Sequence, residues 1–238
     1  MGSNTTEETL PYWQINVPPS LRTQTCPAFL QTLNAKDLRI ISTPDALFAR
    51  ATWPEVRQTI AANRIDLFQR VPSDLRRYLE NNWNLRKKYG SVMNFVLGQR
   101  LRWGAPVVPR GNGPFEEESD VKVLHNDWPY GIDERIVHLV VWTKFELRDD
   151  PATGDLTEEA RREVEEFVRG RFCGEGGVER DQVIWFKNWA SLKSIHAVEH
   201  FHVMLYDPDP EFIRRVTNGD RPLGRREVEE IKAAVDGE

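Results

Sequence analysis

The stretch His200 to Tyr206, H-F-H-V-M-L-Y, alternates between two chemistries. Successive side chains of a strand point to opposite faces. Read as a strand, it puts His200, His202 and Met204 on one side and Phe201, Val203 and Leu205 on the other. The second set is a core face. The first is a problem, because two imidazoles on one face are costly to bury without partners. They line a cleft, bind an ion, or sit in a hydrogen-bonded polar core. The strand alone leaves these three readings open.

Immediately upstream, Q-V-I-W-F-K (182–187) reads as a strand, followed by the polar loop K-N-W-A-S-L-K-S (187–194). That loop offers Asn188, Ser191, Lys193 and Ser194. Backbone amides, hydroxyls and a lysine are suitable phosphate ligands. Further back, R-I-V-H-L-V-V-W (135–142) is a β-rich run that places His138 among apolar residues, with Lys144 just past its end. V-K-V-L-H (121–125) reads as a short strand. Thr157 caps a helix of about twelve residues that ends near Gly170. C-G-E-G-G (173–177) is a turn, and its Cys173 reads as a loop cysteine. Pro208 to Asn218 and the charged 222–238 make two more helices. All five histidines (His125, His138, His196, His200 and His202) fall in this half of the chain. Histidine titrates near neutral pH, binds metals and acts as nucleophile or base.

The first half reads differently. Residues 1–10 form a polar, disordered tail. Residues 11–43 look like an extended wrap, with D-L-R-I-I-S (37–42) as a short strand. Residues 44–103 read as helical. Trp53-Pro54-Glu55 is a helix start, and Ser73 is an N-cap after Pro72. Leu75, Tyr78, Leu79, Trp83 and Leu85 recur at helical spacing until Gly90-Ser91 breaks the pattern. Val92, Phe95, Val96 and Leu101 give a second stripe. The polar faces carry Arg76, Arg77, Arg86, Lys87, Lys88, Arg100 and Arg102, as a solvated face or an anion-binding one. The Pro/Gly-rich stretch 104–120 is the linker candidate. The expected fold class is α+β: a helical region over 11–115, then an antiparallel sheet with helices over 116–238. The two could form one unit.

The chain has 238 residues and a net charge of −5, unevenly placed. Residues 1–115 carry +7 and residues 116–238 carry −12. The halves can attract each other, or a basic arm can face an anionic ligand. Eight Trp, five Tyr and eleven Phe argue against disorder. No apolar run approaches the ~20 residues of a membrane helix. The N-terminus has no basic segment followed by an apolar one, so no secretory signal is expected. Two cysteines form no disulfide framework and lack zinc-finger spacing. A cytoplasmic setting follows as the expectation, with no membrane and no nucleic-acid partner. G-x-x-x-x-G-K-[ST], G-x-G-x-x-G and G-x-S-x-G are all absent.

The order N-D-W-P-Y-G, H-L-V-V-W-T-K, a helix opening L-T-E-E, a strand ending in Asn188, a Ser-containing loop and H-F-H-V-M-L resembles the histidine-triad superfamily of nucleotide hydrolases and transferases over residues 121–206. The resemblance implies a histidine-triad-like sheet and attack of a histidine on phosphorus. It would make His202 the nucleophile, supported by His200 and His138. Asn188 would hold the ribose or the histidine network. Lys193, Ser194 and Lys144 would meet the anion, and Trp128 and Tyr130 the base or sugar. Met204 stands where the third histidine of the triad belongs. The phrases H-N-D-W-P-Y-G-I, W-F-K-N-W-A-S-L-K-S-I and H-F-H-V-M-L also resemble a mainly fungal family whose members are often named N-acetylglucosamine-induced proteins. Together they imply a nucleotide, nucleotide sugar or amino-sugar phosphate as ligand, with no cofactor. Two alternatives stay open. One is a zinc or iron site built from His196, His200 and His202 with Glu199 or His125. The other is a non-catalytic binding or interaction protein.

Overall fold

The computed structural model describes residues 10–188 and 198–237. Four strands form one antiparallel sheet: β1 (Val121–His125), β2 (Ile136–Thr143), β3 (Val183–Phe186) and β4 (Glu199–Tyr206), in the order β1-β2-β4-β3. The two long strands lie at the centre, and the register pairs His138 with Met204, Val140 with His202 and Trp142 with His200. Phe186 pairs with His202 from the other side. Paired residues in antiparallel strands share a face. The expected alternation of β4 is therefore what the sheet displays.

One face carries the main apolar core. Phe201, Val203 and Leu205 join Leu139, Val141, Val123 and Val183. Against them packs α5 (Glu158–Phe172), through Ala160, Val164, Val168 and Phe172 at four-residue spacing. Thr157 caps α5 by accepting the Ala160 N–H at 3.2 Å. A short C-terminal helix adds Phe212, Ile213 and Val216 to the same core.

The opposite face is roofed by the N-terminal half. Its helices are α1 (Ala35–Ile41), α2 (Trp53–Ala61), α3 (Pro72–Tyr89) and α4 (Val92–Phe95), which runs on as a π-helical turn over Val96–Leu101. Numbered in chain order after α5, the short helix at Pro210–Val216 is α6 and the last, Arg225–Asp236, is α7, which packs on α3. Two separate apolar clusters close this side. Leu85, Phe95, Val96, Leu101 and Ile231 meet Leu124, Val140 and Trp142 at one end. Trp53, Val56, Ile65 and Phe68 meet Ile136, Phe186 and Met204 at the other. The histidines lie in the seam between them. The result is an α+β fold, and no helix among the described residues is long and apolar enough to cross a membrane.

Three local expectations are corrected. The run 37–42 is the end of a helix and its C-cap Ser42, not a strand. Asn34 caps α1 by accepting the Asp37 N–H at 2.8 Å, and adjacent Ile40 and Ile41 pack with Leu75 of α3. Ser73 lies inside α3, which begins at Pro72; its N–H is taken by the Asp45 carboxylate at 3.0 Å. The Pro/Gly stretch is pinned rather than loose. Buried Asp120 accepts the N–H groups of Arg110 (2.7 Å) and Gly111 (2.8 Å), and Phe115 stacks on Phe167 of α5 at 4.5 Å. The helix start expected at Trp53-Pro54-Glu55 is where α2 begins, with a capping box between Thr52 and Glu55.

Candidate functional site

The seam is built from β2, β4, the end of β3, α3 and the loop joining β1 to β2. The loop is held from outside. Gly131 N–H bonds the Gln69 carbonyl at 2.8 Å, and the Gly131 carbonyl accepts the Ala51 N–H at 3.0 Å. A Cβ on Gly131 would come within 2.4 Å of the Phe48 ring, so only glycine fits this close approach. The loop thereby presents Asn126, Trp128 and Tyr130 to the histidine face.

His202 is the hub. Its Nδ1 is 3.0 Å from His138 Nε2, and its Nε2 is 3.0 Å from Asn188 Nδ2. An amide nitrogen only donates, so His202 Nε2 accepts and its proton sits on Nδ1, aimed at His138. His202 stacks on Phe186 at 4.9 Å and His200 stacks on Trp142 at 4.4 Å. His200 Nδ1 lies 3.1 Å from the Val198 carbonyl. Asn126 Nδ2 is 3.3 Å from His138 Nε2.

Burial keeps His138 and His202 neutral. His138 is 4% exposed and His202 is 7% exposed. Desolvation, with the Arg70 charge second, lowers His138 to about 3. Desolvation also takes His202 well below the usual histidine range, followed by the neighbouring His138, His200 and Arg70. Burial pushes the Tyr130 phenol up, opposed by Arg70.

Above the histidines is a cavity of about 180 Å³. Its walls include His200, His202, Asn188, Asn126, Trp128, Tyr130 and Trp142 from the sheet side, and Arg70, Tyr78, Asn81 and Asn82 from the helical side. The Arg70 Nε donates to the Trp128 carbonyl at 2.9 Å, and its guanidinium lies 4.0 Å from the Tyr78 ring centroid. Among the described residues no carboxylate is within ion-pair distance of it. Beside the cavity, Arg100 bridges Asp127 and Asp220 at 2.9 Å each, and Asp220 accepts the His125 N–H at 2.8 Å. Burial raises Asp127 to about 6, against the pull of Arg100.

The structure thus gathers His138, His200, His202, Asn188, Trp128 and Tyr130. It places Lys144 elsewhere, 2.9 Å from Asp120. Lys193, Ser194 and His196 lie outside the described residues. Among the described residues, no three His, Cys, Asp or Glu side chains group closely enough to hold a metal ion. Of the basic residues on the helical half, Arg100 is consumed by its two aspartates, and Arg86, Lys87 and Lys88 are exposed. Sequence reasoning does not find Arg70, Tyr78, Asn81, Asn82 or Asn126. One signal is there to be used: N-N-W-N (81–84) puts three weak helix formers inside a helix, on its buried side.

Comparison with known proteins adds relatives without a reaction. The family model described as "Protein of unknown function (DUF3605)" matches residues 52–206. N-acetylglucosamine-induced protein 1 of Candida albicans is 24% identical over 186 residues, covering 71% of this chain and 73% of that protein. An uncharacterized protein of Saccharomyces cerevisiae, YPL067C, is 25% identical over 159 residues, covering 66% and 79%. The crystal structure of HTC1 shares the fold at 22% identity with a TM-score of 0.55, covering 78% of this chain and 95% of that one.

Proposed function

The chain belongs to the DUF3605 family, and from that premise we propose that its seam cavity binds a small organic anion of the nucleotide, nucleotide-sugar or sugar-phosphate kind. The observation that carries this is Arg70. It is a half-buried guanidinium without a carboxylate partner among the described residues, facing imidazoles that burial keeps uncharged. A planar donor fork with nothing to neutralise it suits a phosphate. The Candida relative is named for induction by N-acetylglucosamine, which puts amino-sugar phosphates on the ligand panel.

A second reading is chemical turnover of the histidine-triad type, on a histidine-triad-like sheet. It is favoured by the His138–His202–Asn188 chain. Neutral His202 Nε2 would attack phosphorus, forming an N–P bond while the P–O bond to the leaving group breaks. The Nδ1 proton, held by His138, would steady the charged ring, and water would then hydrolyse the N–P bond. Asn188 occupies the attacking lone pair and must swing off it when ligand arrives.

The test is thermal shift and calorimetry on the whole chain, with AMP, UDP-sugars, hexose phosphates and inorganic phosphate. A ligand at ~100 times its Kd adds about 2.7 kcal/mol to stability. Binding by wild type and its loss in Arg70→Gln is the expected result. No stabilisation by any organic phosphate at millimolar concentration would sink the proposal. Phosphorus NMR separates the readings: turnover that vanishes in His202→Ala supports chemistry, and binding without product supports the binding role alone.

A further inference from the structure

We infer that Asn81 reads a vicinal diol, so the anion bound beside Arg70 is a hydroxylated one, a sugar phosphate or the ribose phosphate of a nucleotide. This rests on the anion-binding reading of the cavity and deepens it.

Asn81 comes from the middle of α3 and is 1% exposed. Neither its Oδ1 nor its Nδ2 has a hydrogen-bond partner among the described residues. Buried amides are almost always paired, and leaving one unpaired destabilises the fold. The side chain is not stranded in an apolar core: it lines the cavity that also holds Arg70, His202 and Asn188. A cost of this kind is retained where a ligand removes it.

The unpaired groups define what would fit. A carboxamide presents one acceptor and one donor side by side. Two hydroxyls on adjacent carbons answer with one donor and one acceptor at matching separation. The dianion of a phosphate monoester brings only acceptors and leaves Oδ1 unsatisfied. Aromatic rings supply the rest of a sugar's surroundings. Trp128 and Trp142 line the same cavity, and aromatic surface suits the C–H side of a pyranose or a base equally well.

The test uses the intact chain, wild type and Asn81→Leu, which is similar in volume and removes both polar atoms. Asn81→Ala replaces it if the leucine variant does not fold. Calorimetric Kd values are compared for inorganic phosphate, cyclohexyl phosphate, the 6-phosphates of glucose, galactose, mannose and glucosamine, and AMP. Cyclohexyl phosphate has the ring and the charge but no hydroxyls. A site built to hydrogen-bond hydroxyls discriminates strongly against a ligand lacking them. At least one hydroxylated phosphate should therefore bind wild type about tenfold or more tighter than cyclohexyl phosphate, and lose that excess in Asn81→Leu. The sugar and AMP arms tell which source supplies the diol. The free variant should melt at or above wild type, because it sheds an unpaired buried amide. If cyclohexyl phosphate binds as well as every hydroxylated ligand, the diol inference is overturned and the anion reading stands. The diol inference is equally overturned if Asn81→Leu leaves the preference intact or melts well below wild type. If wild type binds none of the phosphates, the anion reading itself falls and takes the inference with it.

Discussion

The two faces of the sheet are made from the same strands and obey opposite rules. Phe201, Val203 and Leu205 are fully buried against α5 in a continuous apolar core. One residue away along the same backbone, His200, His202 and Met204 face the helical roof, where the apolar packing splits into two clusters with imidazoles between. A period of two lets one strand serve a packing face and a polar face without compromise. The contrast teaches where stability is made and where it is given up. The apolar face needs only volume and shape. The polar face needs every donor matched, and at Asn81 no described residue matches it.

Substitutions on each face should fail by different mechanisms. The largest effect is expected for Phe201→Ala. Removing a fully buried ring leaves a cavity, and the cost should be about 3–5 kcal/mol, read as a lower urea midpoint. On the polar face, His202→Leu should cost less, about 1–3 kcal/mol, because it leaves His138 Nε2 and Asn188 Nδ2 without their partner. The signature is in the pair. The double variant His138→Leu/His202→Leu should be markedly less destabilised than the sum of its singles, since both ends of the hydrogen bond leave together. Additivity within ~0.3 kcal/mol would mean the histidine contact contributes nothing specific.

How much of this is legible in the sequence follows the same divide. The sheet is readable because alternation in H-F-H-V-M-L-Y and the β-branched run around His138 depend on local sequence alone. The meeting of His138, His202 and Asn188 is also anticipated, from the resemblance to a known strand order. The roof is not. Ile40 and Ile41 read equally as strand or helix until Asn34 is seen capping, and a short apolar run cannot decide between them. Arg70 and the asparagines of α3 carry no motif. Their importance comes from which residues stand opposite them far along the chain, as Trp128 stands opposite Arg70. Lys144 shows the converse error. Its place after a strand looks like a ligand position, and the structure gives it to Asp120.

Acid should separate the faces more finely still. His138 titrates at about 3 in the folded protein against ~6.5 when unfolded. Between those values the folded state holds fewer protons than the unfolded one, so stability rises with pH through this window and is lost as pH falls through it. His202 is lowered in the same sense. Each such group can contribute at most about 1.4 kcal/mol per pH unit. The wild type and Phe201→Ala should share this acid slope, displaced from each other by a constant amount. The double histidine variant should lose most of it. Equal slopes in all three would show that the imidazoles are not neutral in the fold.

The smallest effect expected is at Asp127, beside the cavity. Its folded value of about 6 exceeds the ordinary carboxylate value of 3.8. Here the folded state holds the extra proton, so between roughly 4 and 6 this group makes stability fall as pH rises, against the histidines. Asp127→Asn removes the opposing group and should steepen the acid slope between those values, by less than one proton's worth. The level of stability is a poor readout, because the variant also weakens the Arg100 contact. The slope is not affected by that loss, since Arg100 does not titrate in this range. Chemical denaturation at half-unit pH steps, with wild type alongside, resolves it. A shallower slope in Asp127→Asn would mean that Arg100 and the Leu223 N–H hold the carboxylate charged after all.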